Sequence, residues 1–170
     1  MRIGRPIDVE FAAMGLKIAK ILYPTDFSEL SLRALAYARE LAGTFGSQIH
    51  CLHVVDEAYQ YWAAMGPESA PIGPAVEDLR SYAEAHMQKF ADEHLVGLKF
   101  VPITRVATGR PYDEIVQYAL HNTIDLIVLA THGRGGIAHA LMGGTAEKVV
   151  RKATCPVLTV RETKHAAAGE

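Results

Sequence analysis

The stretch Asp125-Leu126-Ile127-Val128-Leu129-Ala130 decides the fold. Five consecutive apolar residues with no polar alternation make a strand buried on both faces, and such strands sit inside a parallel sheet covered by helices. The run is also far too short to cross a bilayer. Upstream, Lys20–Tyr23 is a β-prone run stopped by Pro24, Gln48–Val55 is a second strand, and Lys99–Ala107 is a third, with Pro102 marking an edge position. Downstream, Pro156–Val160 supplies the fifth.

Helical spacing fills each gap. Asp26 is the expected N-cap of a first helix, with Glu29 completing a capping-box variant, and Gly43 and Gly46 close it after Leu30, Ala34, Leu35, Ala38, Leu41, Ala42 and Phe45. Apolar residues at Val76, Leu79, Ala83, Met87, Phe90 and Ala91 predict a second helix from Ala75 to about Leu95. Gly109-Arg110-Pro111 turns into a third through Ile115, Val116 and Ala119, and a short fourth has Ala146, Val149 and Val150 facing inward. The order βαβαβαβαβ, without internal repeat, predicts one α/β unit: a parallel sheet with helices on both faces.

The 170 residues suit a single domain. Hydrophobic residues make up 49% and charged residues 21%, the balance of an ordinary globular protein. A net charge of -2 and a pI near 6.4, with no basic block, argue against nucleic acid as a partner. Cys51 and Cys155 have no metal-type spacing and are too few for a disulfide framework, so a cytoplasmic, reducing setting is expected. Residues 1–16 lack the apolar core of a secretory signal and read as an N-terminal extension; residues 162–170 read as a disordered tail. The domain is expected over 17–161. Asp56–Pro74, which holds Tyr59, Tyr61 and Trp62, is expected to be a long loop.

Open α/β sheets bind ligands at the carboxyl ends of strands, where the helices switch faces. Two strand ends carry unusual residues: Pro24-Thr25-Asp26-Phe27-Ser28, and Ala130-Thr131-His132-Gly133-Arg134-Gly135-Gly136, the latter completed by Gly143-Gly144-Thr145. Glycines permit close backbone approach, and a helix starting near Gly144 aims free N–H groups and about half a positive charge at its surroundings. A phosphate cradle is one reading; a turn-rich loop is the other. Neither a Walker A motif nor a dinucleotide fingerprint is present. Asp26 serves as a cap, a ligand contact or both, while His132 and Arg134 either touch phosphate or stay structural and solvated. His50 and His53 are three apart on a strand and point to opposite faces, so they do not share a metal. Ser28 and Thr131 have no evident paired base, and the site contains a single carboxylate, less than a dedicated hydrolase or kinase needs.

Lys20-Ile21-Leu22-Tyr23-Pro24-Thr25-Asp26-Phe27-Ser28-Glu29, Leu52-His53-Val54-Val55, the Thr131–Thr145 loop and Cys155-Pro156-Val157-Leu158 together resemble the universal stress protein family, over Lys17 to Arg161. The resemblance implies a Rossmann-like open five-stranded sheet of order 3-2-1-4-5, in which Asp26 and Gly133 face one crevice. The signature of the ATP-binding branch, Gly-x2-Gly-x9-Gly-Ser/Thr, falls on Ala130, Gly133, Gly143 and Gly144. Ala130 replaces a glycine, and Gly144 replaces a hydroxyl residue that returns one place later as Thr145. An alanine costs about 1–2 kcal/mol if its backbone is left-handed and little if extended.

By the same resemblance Pro24, Thr25 and Asp26 line the adenosine end, Val54 packs on the base, and Leu129 and Ala130 border the ribose. Gly133, Gly143, Gly144 and Thr145 then hold phosphates through backbone N–H groups, flanked by His132 and Arg134. The implied function is a stress-response protein that binds adenine nucleotide (ATP, or AMP/ADP, with Mg²⁺ on the phosphates) as a regulatory ligand. The implied assembly is a homodimer through Val157–Val160, with no membrane partner. Two rival readings are a family member that binds no nucleotide, favoured by Ala130 and Gly144, and a slow ATPase, opposed by the missing base.

Overall fold

Strands β1 (Lys20–Pro24), β2 (Gln48–Asp56), β3 (Ile103–Gly109), β4 (Leu126–Ala130) and β5 (Val157–Val160) pair in parallel as one sheet of order β3-β2-β1-β4-β5. Among the described residues four helices connect them: α1 (Glu29–Phe45), α2 (Val76–His94), α3 (Pro111–His121) and α4 (Gly144–Lys152). This computed structural model describes residues 17–56, 76–132 and 143–161. The expected extension, the loop following Asp56, the tail, Gly133 and Arg134 lie outside the described residues. None of the described helices is long and apolar enough to cross a membrane.

Strand alternation splits the core in two. Ile21 and Tyr23 of β1 join Ile49, Cys51, Leu126 and Val128 beneath Ala34, Leu35 and Ala38 of α1 and Met87 and Phe90 of α2. The intervening Leu22, with Leu52, Ile127 and Leu129, packs beneath Ile115 and Ala119 of α3 and Ala146 and Val149 of α4. Each such Leu or Ile, fully buried, contributes about 1.5–3 kcal/mol. Helices α1 and α2 thus cover one face and α3 and α4 the other. The change of face falls between β1 and β4, which meet in register at Ile21↔Leu126 and Leu22↔Ile127. A crevice opens above their carboxyl ends for that topological reason.

Local details depart from the pattern. The N-cap of α1 is Ser28, whose Oγ accepts the Ser31 N–H at 3.2 Å, and not Asp26. The cap moves because Phe27 adopts φ 61°, adding a left-handed step to the turn. Asp26 instead accepts the Ser28 N–H at 3.1 Å and the Ser28 hydroxyl at 2.7 Å through Oδ1. Gly43 lies within α1, which ends at Gly46 with φ 68°. Strand β3 begins at Ile103, right after Pro102, and occupies an edge as expected. In α4, Ala146 and Val149 are buried but Val150 is exposed, because a nine-residue helix turns only one narrow stripe inward.

Candidate functional site

The β1–α1 turn is built around Thr25. Its N–H donates to the Leu52 carbonyl at 2.8 Å, which carries the β1–β2 ladder one step past the strand. Its buried Oγ1 accepts the Phe27 N–H at 3.0 Å and the Ser31 hydroxyl at 2.9 Å. The Tyr23 hydroxyl lies 3.2 Å from the same oxygen and donates to the Ser31 carbonyl at 2.9 Å. Burial pushes the Tyr23 phenol far above its ordinary pKa, so it stays a neutral donor. Phe27 packs its ring 4.4 Å from His53, 4.3 Å from His86 and 5.3 Å from Phe90. A bulky residue at positive φ costs about 1–3 kcal/mol, and these ring contacts offset it.

The second wall forms where β4 ends. The Thr131 N–H donates to the Val160 carbonyl at 2.9 Å, and the Thr131 carbonyl accepts the Gly143 N–H at 2.7 Å. A Cβ on Gly143 would lie 2.9 Å from that carbonyl oxygen, so only glycine fits there. Gly143 is the N-cap of α4 and offers no side-chain cap. The first intrahelical bond is Glu147 N–H to the Gly143 carbonyl at 3.0 Å, so the amides of Gly144, Thr145 and Ala146 precede the helical ladder. Ala130 is in extended strand backbone, paired with Val160, and is not among the residues at positive φ, so the penalty for alanine does not arise.

The two walls enclose a crevice of about 980 Å³. Pro24, Thr25, Asp26, Val54, Leu129, Ala130, His132, Gly143, Gly144 and Thr145 all line it, drawn together from β1, β2, β4 and α4. Among the other lining residues, sequence reasoning did not assign Leu79 of α2, Pro111 and Ile115 of α3, His53 or Asp56 to the site. Asp56 is a correction, since the described lining holds two carboxylates rather than one. It ends β2, and a strand's last residue in a parallel sheet was the available signal. His132 Nε2 is buried without a hydrogen-bond partner among the described residues, while Nδ1 lies 3.1 Å from Thr131 Oγ1.

That pair and the Ser28–Asp26 pair correct a second expectation, because each hydroxyl does have a partner base. Thr131 is only 1% exposed, which removes its hydroxyl from attack on anything in the crevice, and Ser28 is engaged in capping. His50 and His53 do face opposite sides: His50 Nδ1 is 3.0 Å from the Tyr118 hydroxyl of α3, and His53 meets Phe27. Among the described residues no group of three His, Cys, Asp or Glu side chains is arranged to hold a metal ion.

Residues 17–161 match the model of the universal stress protein family. Universal stress protein MJ0531 of Methanocaldococcus jannaschii is 32% identical over 145 residues, covering 85% of this chain and 83% of that one. The solved structure of MJ0577, from the same organism, has a TM-score of 0.73 at 29% identity and covers 86% of this chain and 98% of that one. A universal stress protein solved in complex with cAMP shares the fold, with a TM-score of 0.62 and 21% identity over 85% of this chain and 98% of that one.

Proposed function

The chain belongs to the universal stress protein family, and from that premise we propose that the crevice between β1 and β4 binds an adenine nucleotide, ATP with Mg²⁺, as a regulatory ligand. The carrying observation is the opening of α4. A glycine pressed against the Thr131 carbonyl brings three amides ahead of the helical ladder to the crevice wall. Such a set suits phosphate oxygens, and the helix dipole adds to it. Across the crevice, the Asp26 turn and the apolar Val54 and Leu129 suit a ribose and a base. The volume lies within the range of small-molecule sites. A neighbour of the same fold holds cAMP, an adenine nucleotide, which supports the reading.

The roles follow. Pro24, Thr25 and Asp26 receive the nucleoside, Val54 contacts the base, and Leu129 and Ala130 border the ribose. The backbone N–H groups of Gly144 and Thr145 donate to phosphates beside Gly143 and His132, and bound Mg²⁺ would neutralise part of the phosphate charge. The chain's contribution is binding and orientation; the buried Thr131 hydroxyl and the capping Ser28 suit retention of the ligand better than turnover. The protein acts in the cytoplasm as a homodimer through β5, an edge strand on which Leu158 is exposed.

Calorimetric titration with Mg-ATP tests this, together with anion-exchange chromatography of the supernatant from heat-denatured protein. Adenine nucleotide in the supernatant, and a thermal shift growing with ATP concentration, are expected. A ligand at a hundred times its Kd adds about 2.7 kcal/mol. An empty supernatant with no shift retires the proposal in favour of a nucleotide-free scaffold.

A further inference from the structure

His53 grips the residue on each side of Asp26. Its Nδ1 lies 2.8 Å from the Thr25 carbonyl oxygen. A carbonyl only accepts, so this nitrogen carries the proton and the ring is held as the Nδ1–H tautomer. The same ring packs 4.4 Å from Phe27, which is left-handed and backed by His86 of α2. Thr25 and Phe27 are thus fixed by one side chain from the neighbouring strand, and Asp26 between them stands in the crevice wall.

We propose that His53 is a positioning residue for Asp26, setting affinity for the nucleoside half of the ligand and leaving the phosphate half untouched. This rests on the nucleotide reading of the crevice. The division arises because the amides of α4 are positioned through Thr131 and Gly143, at the end of β4 rather than of β1. Without His53, the Thr25 carbonyl loses its donor and Phe27 loses one of its supporting rings, so the turn relaxes toward ordinary backbone and carries Asp26 with it.

The experiment compares His53→Leu, which removes the donor, with His53→Asn, whose side-chain amide nitrogen takes the place of Nδ1. AMP and inorganic tripolyphosphate are titrated separately by calorimetry. His53→Leu should weaken AMP about tenfold and leave tripolyphosphate unchanged, and His53→Asn should recover most of the loss. Undiminished AMP binding in His53→Leu, or an equal loss on both ligands, overturns the proposal. A ligand-free readout separates it from the nucleotide reading. Long-range ¹H–¹⁵N spectra should report the Nδ1–H tautomer, and exchange of the Phe27 and Ser28 amides should quicken in His53→Leu and recover in His53→Asn. If the unmutated protein binds neither probe, the nucleotide reading fails and with it the affinity claim, while the exchange data still judge the hold on the turn. Unchanged exchange in His53→Leu removes that hold.

Discussion

The amide of Gly143 lies 2.7 Å from the carbonyl oxygen of Thr131, joining the end of β4 to the start of α4. This contact gives two adjacent glycines opposite requirements. A Cβ at 143 meets the Thr131 oxygen at 2.9 Å, whereas a Cβ at 144 meets nothing within 4 Å among the described residues. Gly143→Ala should therefore lose about 1–3 kcal/mol in urea denaturation and weaken nucleotide binding, and Gly144→Ala should stay within about 0.5 kcal/mol of the parent. Gly144→Ser, which restores the hydroxyl of the ATP-branch signature, should tighten ATP several-fold, as one added neutral hydrogen bond does. Equal effects at 143 and 144 would contradict this account.

His50 makes stability depend on pH. Its ring is buried, and burial, followed by the nearby Lys20 charge, lowers its pKa below the ordinary 6.5. The unfolded chain takes up a proton near pH 6.5 while the folded one resists until lower pH, so unfolding binds a proton in that window. The stability associated with neutral His50 is complete above pH 6.5 and is lost as pH falls toward the folded value. Urea midpoints measured from pH 7.5 to 5 should decline for the parent and decline less for His50→Leu. Parallel curves would show that His50 is not the responsible group.

The two thiols should react very differently. Burial pushes the Cys51 thiol up to about 12, and its side chain is 1% exposed with Sγ 3.7 Å from Met87 Sδ. At pH 8 about one Cys51 in ten thousand would be thiolate. Cys155, also raised by burial, is only partly covered. Iodoacetamide should modify Cys155 first in the native protein and reach Cys51 on unfolding. Peptide mass spectrometry gives the order, and comparable native rates at both would refute it.

Among the described residues strand β5 pairs with β4 alone, and Leu158 is 36% exposed on that edge. The proposed homodimer through Val157–Val160 would bury this apolar strand and satisfy its outer backbone groups. Leu158→Lys should shift sedimentation from dimer to monomer with little change in the fold. A parent protein that already sediments as a monomer would rule out this interface.

Much of the architecture was legible because it rests on near-neighbour patterns. The unbroken Leu126–Ala130 run and the intervening helical stripes are local signals of strands and helices. Misreadings cluster where geometry depends on partners distant in the chain. Nothing about a phenylalanine announces φ 61°, so residue spacing points to Asp26 as the cap where the structure has Ser28. Asp56, Leu79, Pro111 and Ile115 reach the crevice through sheet order and helix placement, which residue spacing does not encode. Gly143 and Gly144 look equivalent as letters, and only the nearby Thr131 oxygen tells them apart.

The seam at Ile21↔Leu126 and Leu22↔Ile127 unites two opposite halves of the polypeptide. Each half contributes one bank of the hollow, so neither fragment alone would possess a recognition surface. Whatever is gripped by both banks acts as a clasp, raising the work needed to part the halves. A ligand held by both banks would therefore slow proteolysis of the folded chain.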